Sequence, residues 1–450
     1  MPEPSYLPSN EQDPDAAALI AARPHLSMHA MDGLVLEDVP LNAVADALGT
    51  PTWVYGAGTM RGRLARLRAA LAGAGLDAHV HYAVKANDHR AVLRLFATEG
   101  AGADVVSEGE LRHARAAGFA ASDIVFSGVG KSEQELRLAL AENIAQINVE
   151  SAEELDALSA LAEACGRTAR VALRINPDVD AGTHAKITTG RAHNKFGIAL
   201  ADAALLYARA AALPGIEPRG LAVHIGSQIL SVAPYRAAYA RIAELVRALR
   251  GSGHTVHSVD CGGGLGIGYR DEPEGSPTAL AGAIRATLGG LGLKLIVEPG
   301  RWLVGPAGVL LASVVLVKRE GVGRFVVLDA AMNDLVRPAM YDAWHGIVPL
   351  AAADAVRPVT QADIVGPVCE TGDTFARNRP LPELAPHSRV AILDAGAYGS
   401  VMSSTYNARP LAAEAMVDGA CWSVIRDRQA YEALWAGERI PEWLTPSATG

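Results

Sequence analysis

From Thr52 onward the chain alternates two textures: short apolar runs rich in β-branched residues, and longer runs whose apolar residues recur every three or four positions. The first pattern belongs to buried strands and the second to amphipathic helices. The strand runs are HVHYAVKA (79–86), ADVVS (103–107), DIVFSG (123–128), AQINVES (145–151), RVALRIN (170–176), GLAVHIG (220–226), HSVDCGG (257–263) and LKLIVEPG (293–300). Between them, Ser132 to Glu135 and Ser151 to Glu154 have the spacing of capping boxes. The run YRAAYARIAELVRALR (235–250) has helical spacing and stops at Gly251, a residue suited to a helix C-terminus.

Eight strands alternating with helices predict an α/β fold built on a (β/α)8 TIM-type barrel. An open doubly wound sheet alternates in the same way. The count of eight, with polar residues gathered at the carboxyl ends of the strands, favours the barrel. After residue 308 the texture changes to GVLLASVVLVKRE, RFVVLDAA, SRVAILDAG and ACWSVIRD, short strand runs with few helices between them. These predict a C-terminal β-rich domain, completed by an N-terminal strand such as MDGLVLEDV (31–39). The expected organisation is a mobile tail over 1–25 and a segment over 26–50 that joins the β domain. The barrel then spans 51–308 and the β-rich domain 309–450.

Composition narrows the partners. The net charge of −9, with no run of Lys or Arg, argues against nucleic acid. Cys165, Cys261, Cys369 and Cys421 form no C-x-x-C pair, so neither a disulfide framework nor a zinc site is expected, and a reducing, cytoplasmic setting is. The N-terminus is acidic and Pro-rich, unlike a signal peptide. The apolar run VGPAGVLLASVVLV is too short to span a bilayer.

Candidate chemistry follows from the barrel, whose reacting groups belong at the carboxyl ends of the strands. Lys85 closes the first strand run, on a face that alternation makes otherwise apolar. A charge there is costly unless it is paired or reacts. Either it snorkels from an edge strand, or it is a desolvated lysine of lowered pKa suited to Schiff-base chemistry. GGGLGIG (262–268) follows the seventh strand run. It reads as a tight turn or as a loop whose amides approach a phosphate, and its position favours phosphate. No G-K-S/T follows, which separates it from a nucleotide P-loop. Lysine and phosphate together suggest pyridoxal 5′-phosphate. Glu298 would then face the pyridine nitrogen, unless it caps a helix or pairs with an arginine. His224, beside Gly226 and Ser227, is either a core histidine or a residue stacked on a flat ring.

Seven motifs, YAVKAN, HIGSQI, CGGGLGIGY, EPGRWLVGPAG, RPAMYDAWH, GPVCETGDTFA and DAGAYGSVMSSTYN, occur in the order seen in diaminopimelate decarboxylases. The chain resembles that family from about residue 30 to 430. These are barrel-type pyridoxal-phosphate decarboxylases, related to ornithine and arginine decarboxylases and, more distantly, to alanine racemases. The resemblance implies that Lys85 carries the cofactor and His224 lies against its ring. It places Gly262, Gly263, Gly264, Glu298, Pro299, Gly300 and Arg301 around the cofactor, with Ser227 and Tyr398 close by. It also implies a homodimer with shared sites, where Cys369 from the second subunit donates a proton and Glu370 touches the substrate. By itself a lone Cys369 reads as a small buried hydrophobe.

The stretch NPDVDAGTHAKITTGRAHNKFGI (176–198), with Arg301, Arg337 and Tyr341 at the positions that grip a distal carboxylate, points to meso-diaminopimelate. The implied reaction gives L-lysine and CO2, the last step of lysine biosynthesis. A carboxynorspermidine, ornithine or arginine decarboxylase, a racemase, or a non-enzymatic pyridoxal-phosphate-binding regulatory protein are the alternatives. Two residues depart from the family pattern, Glu108 in place of a common glycine and Thr371 in place of a common serine.

Overall fold

The structure is a computed structural model that describes residues 13–180, 195–320 and 323–444. Eight parallel strands form the barrel: Ala78–Ala83, Gly102–Val105, Ile124–Phe126, Gln146–Val149, Ala169–Asn176, Ile216–Ala222, Ser258–Asp260 and Lys294–Val297. Each pairs with the next, and the eighth pairs back onto the first, which closes the sheet. With helices outside and side chains inside, the strands are apolar on both faces; Ile124, Val125 and Phe126 are all fully buried.

The helix signals hold with two exceptions, since the C-cap expected at Gly251 falls on Ser252 and one of the two capping boxes is incomplete. Ser132 Oγ accepts from the Glu135 amide at 3.3 Å, and Glu135 Oε2 accepts from the Ser132 amide at 2.8 Å, so this capping box is complete. The box at Ser151 is half made. Ser151 Oγ accepts from the Glu154 amide at 3.1 Å, but the Glu154 carboxylate turns to Lys131 Nζ at 2.7 Å and to the Glu150 amide. The Lys131 side chain is almost fully buried, and a buried ammonium outcompetes a cap for the carboxylate. The long helix runs Ala233–Gly251, as its spacing predicts.

The second domain is a nine-stranded sheet built mainly from residues after Gly308. The N-terminal strand that completes it is Thr52–Gly56, which pairs antiparallel with Gly308–Leu311 and parallel with Ala413–Val417. The expected strand at 31–39 instead contributes to a separate three-stranded sheet, Leu26–His29, Gly33–Leu36 and Val39–Pro40. That small sheet packs Leu34 and Leu36 against Val54, Val309 and Leu311 of the large one. The tail reading also changes. Residues 1–12 lie outside the described residues, but Ala16–Ala21 is a helix capped by Asp15. Arg23 forms a buried ion pair with Asp394, and Asp13 bonds Arg270 and Arg379. These charges tie the segment down, since neither partner is solvated alone. Among the described residues no helix is long and apolar enough to cross a membrane.

Candidate active site

The first barrel strand ends at Ala83, and Lys85 sits two residues beyond, in the 3-10 turn Val84–Ala86. The turn frees Lys85 from strand alternation and aims its amine at the barrel mouth, where Nζ donates to Asp104 Oδ2. Asp104 is fully buried on the second strand, and a third of the Lys85 side chain is exposed. Burial works against the ammonium, but the charges of Asp104 and Glu298 outweigh it and hold the Lys85 pKa above the ordinary lysine value. The lowered pKa expected from desolvation alone is therefore reversed.

Glu298 follows the eighth strand, and Asp260 ends the seventh. Asp260 accepts from the Gly262 amide at 2.9 Å and from Asn148 Nδ2 at 3.0 Å. Burial, then the charges of Asp104 and Asp260, push the Glu298 pKa well up and favour its protonated form. Its Oε1 is buried with no hydrogen-bond partner among the described residues. Asp104 and Glu298 thus face the ammonium, and Asp260 backs Glu298.

The loops after strands six, seven and eight lie backbone on backbone. A Cβ on Gly262, Gly263 or Gly264 would come within 2.2, 2.0 and 2.3 Å of the carbonyls of Val223, Glu298 and Gly226. The glycines are thus required by this packing whatever they bind. The Gly262 amide goes to Asp260 and the Gly263 amide to His224 Nδ1 at 3.2 Å. The amides of Gly264, Gly300 and Arg301 donate to no described residue, and Pro299 has no amide to offer. His224 lies past the end of the sixth strand, and burial followed by the charges of Arg174 and Lys85 keeps it neutral.

Across the pocket the sign of the charge changes. Arg301 Nη1 donates to the Tyr269 hydroxyl at 2.7 Å and Nη2 to Ser227 Oγ at 3.2 Å. Its guanidinium lies 4.8 Å from the Tyr398 ring centroid, and the Tyr398 amide bonds the Ala86 carbonyl beside Lys85. Arg337 lies over the Tyr269 ring at 5.0 Å and donates to His345 Nε2 at 2.8 Å. Arg301 and Arg337 are 7% and 5% exposed, and neither pairs with a carboxylate among the described residues. Tyr341 ends the short helix that Arg337 opens, within electrostatic reach of Arg301.

Cys369 and Glu370 do not join this cluster. Both are exposed, and their bonds run to Asn407 Oδ1 (3.0 Å, from the Cys369 amide) and from the Tyr406 hydroxyl (2.7 Å, to Glu370). Of the stretch 176–198, residues 181–194 lie outside the described residues. Glu108 opens a surface helix, where its carboxylate accepts from Arg112 and Gln134, away from the pocket. Asp104, Asp260, Tyr269 and His345 are the residues that sequence reasoning overlooks. The first two carry the same signal as Lys85, a charge inside an apolar strand run.

The residues present fit a pyridoxal phosphate group: an amine at Lys85, an unbonded carboxyl oxygen at Glu298, and free amides at Gly264, Gly300 and Arg301. Residues 57–305 match the family described as pyridoxal-dependent decarboxylase, pyridoxal binding domain. The diaminopimelate decarboxylase of Zymomonas mobilis is 49% identical over 91% of this chain and 98% of its own length. The crystal structure of diaminopimelate decarboxylase from Helicobacter pylori complexed with L-lysine superposes with a TM-score of 0.85 at 38% identity, covering 88% of this chain and 99% of that one. The enzyme from M. jannaschii in complex with L-lysine gives 0.89 at 34% identity, covering 94% and 99%. The chain belongs to the diaminopimelate decarboxylases, a family of barrel-fold pyridoxal-dependent enzymes.

Proposed function

We propose that the chain removes CO2 from the D-configured centre of meso-2,6-diaminopimelate to give L-lysine, the last step of lysine biosynthesis, with pyridoxal 5′-phosphate held in the barrel mouth. One observation carries the substrate: Arg301 and Arg337 are buried beside the Lys85 cluster with no carboxylate partner among the described residues. A side chain ending in a carboxylate gains charge-assisted bonds there, whereas the terminal ammonium of ornithine meets repulsion. Two similar structures contain L-lysine, the product of this reaction.

When bound, the cofactor supplies the electron sink for the pair left behind as CO2 departs. Lys85 holds it through Nζ, and Asp104 fixes where that amine points. Glu298, whose environment favours the protonated carboxyl, keeps a proton at the ring nitrogen. The neutral face of His224 lies against the ring. The free amides of Gly264, Gly300 and Arg301, with Ser227 and Tyr398, hold the phosphate, while Gly262, Gly263, Glu298 and Pro299 shape the loops that present them. Arg301, Arg337 and Tyr341 hold the distal carboxylate and so orient the α-carbon.

The proton that replaces CO2 comes from the partner subunit's Cys369, with the partner subunit's Glu370 against the substrate, in a cytoplasmic homodimer. The exposed loop carrying both residues supports this, since their bonds run to Tyr406 and Asn407 rather than to the Lys85 cluster. Mixing Lys85→Ala and Cys369→Ala proteins, each inactive alone, should then restore about a quarter of the activity through hybrid dimers with one intact site. No recovery would place the thiol outside the shared site.

Product analysis with added pyridoxal phosphate tests the reading as a whole. Lysine and CO2 from meso-diaminopimelate, with ornithine untouched, is the expected result. Turnover of ornithine instead would keep Lys85 and remove the assignment of the two arginines. No turnover of either would remove the decarboxylase reading.

A further inference from the structure

An arginine buried inside a protein is ordinarily held by a carboxylate, which cancels its charge. Arg337 is held differently: Nη1 donates to His345 Nε2 at 2.8 Å, and His345 Nδ1 donates to the Leu393 carbonyl at 2.8 Å. The second bond sets the tautomer, so the Nε2 lone pair faces the guanidinium. Burial, then the charge of Arg337 itself, holds the His345 pKa well below the usual value and keeps that lone pair free of a proton.

The imidazole is fixed on every side. It is 1% exposed, and its ring meets Tyr269 edge-on, with centroids 5.3 Å apart at 80°. Its backbone carbonyl accepts from Arg379 Nη1 at 2.9 Å, and Arg379 is anchored in turn by Asp13 at 2.9 Å. Tyr269 serves Arg301 in the same manner, with its hydroxyl as acceptor at 2.7 Å.

We infer that His345 is a positioning residue for substrate selection: it aims the Arg337 guanidinium while leaving its positive charge uncancelled for the distal carboxylate. This rests on the proposal that the arginine end receives that carboxylate. It goes further in requiring the holder of Arg337 to be a neutral acceptor.

The test is the steady-state kinetics of His345→Gln, His345→Leu and His345→Glu holoenzymes with meso-diaminopimelate, alongside the visible absorbance of the bound cofactor. Glutamate would pair with Arg337 and should raise KM roughly 100-fold, by more than kcat falls. Leucine removes the acceptor and should raise KM roughly tenfold, while glutamine, whose amide oxygen accepts, should stay within about threefold of the native KM. The cofactor absorbance should be unchanged in all three. Native KM values for the glutamate and leucine variants would overturn the inference, as would glutamine faring as badly as glutamate. If the leucine variant does not fold, the order of glutamine and glutamate still decides. Arg337→Ala separates the two levels. A native KM there removes the reading of the arginine end itself, whereas a raised KM beside native His345 variants removes only the role of His345.

Discussion

The two ends of the pocket are built with opposite excesses. At the cofactor end three carboxyl groups cluster, with Asp104 and Glu298 facing the ammonium of Lys85 and Asp260 backing Glu298. At the distal end two guanidiniums, Arg301 and Arg337, are held, among the described residues, by hydroxyls, an imidazole and aromatic faces. The acidic end sheds part of its charge, by pairing Asp104 with Lys85 and by favouring a proton on Glu298, whereas the basic end keeps both of its charges. Buried charge of one sign is expensive, so each end is completed by what it binds. The acidic end suits a group with a protonated ring nitrogen, and the basic end suits carboxylate. A substrate with an amino acid at both termini offers the same charges at each, so the arginines take whichever carboxylate lies distal, and the terminus that reacts is chosen by its configuration rather than by charge.

Removing the one cation of the acidic end should have the largest effect. Lys85→Ala should cost turnover on the order of 10⁴-fold or more, because no second amine among the described residues is placed to hold the cofactor. Borohydride treatment of the loaded protein should fix cofactor onto the native chain and not onto the variant. Labelling of the variant at another lysine, with activity retained, would show that the amine of the acidic end lies elsewhere.

Removing a cation from the basic end should act on choice more than on chemistry. Arg337→Ala should lower the preference for diaminopimelate over ornithine by about 10²-fold, read as the ratio of the two kcat/KM values. Arg301 touches both Ser227 and Tyr398 as well as Tyr269, so its alanine variant should disturb cofactor and substrate together. An unchanged preference in Arg337→Ala would dissolve the contrast between the ends.

How much of this contrast is legible in the chain depends on how local its cause is. The barrel is legible because strand and helix periods are local, and Lys85, Glu298 and the glycine run stand at the ends of readable strands. Thr52–Gly56 is not, because its partners are Gly308–Leu311 and Ala413–Val417, and nothing in five residues says so. The sign of the Lys85 shift is equally remote from its own neighbours. It depends on Asp104 and Glu298, which the barrel brings to the same mouth from two other strands. His345 and Tyr269 matter only through side-chain contacts with Arg337, Leu393 and Arg301, which no spacing encodes. Cys369 is found by family motif alone, since its exposed loop shows no site within one chain.

The smallest effect lies in Glu298 and sharpens the acidic end through pH. Its pKa is raised well above 4.5 in the folded chain, first by burial and then by Asp104 and Asp260. A raised carboxyl pKa means that the folded state binds a proton which the unfolded chain has already released. The stability from this group is thus complete below the unfolded value and is lost as pH rises through the folded one. Glu298→Gln cannot ionise and has no such slope. In the cofactor-free protein, the melting temperature of the variant minus that of the native chain should climb by about 1–3 °C as pH rises from 4.5. Glu110, raised by burial to about 7, adds a slope of the same sign, but it does so in both proteins and cancels in the difference. A flat difference would mean that Glu298 is ionised in the cofactor-free site, and that Lys85 already balances the acidic end.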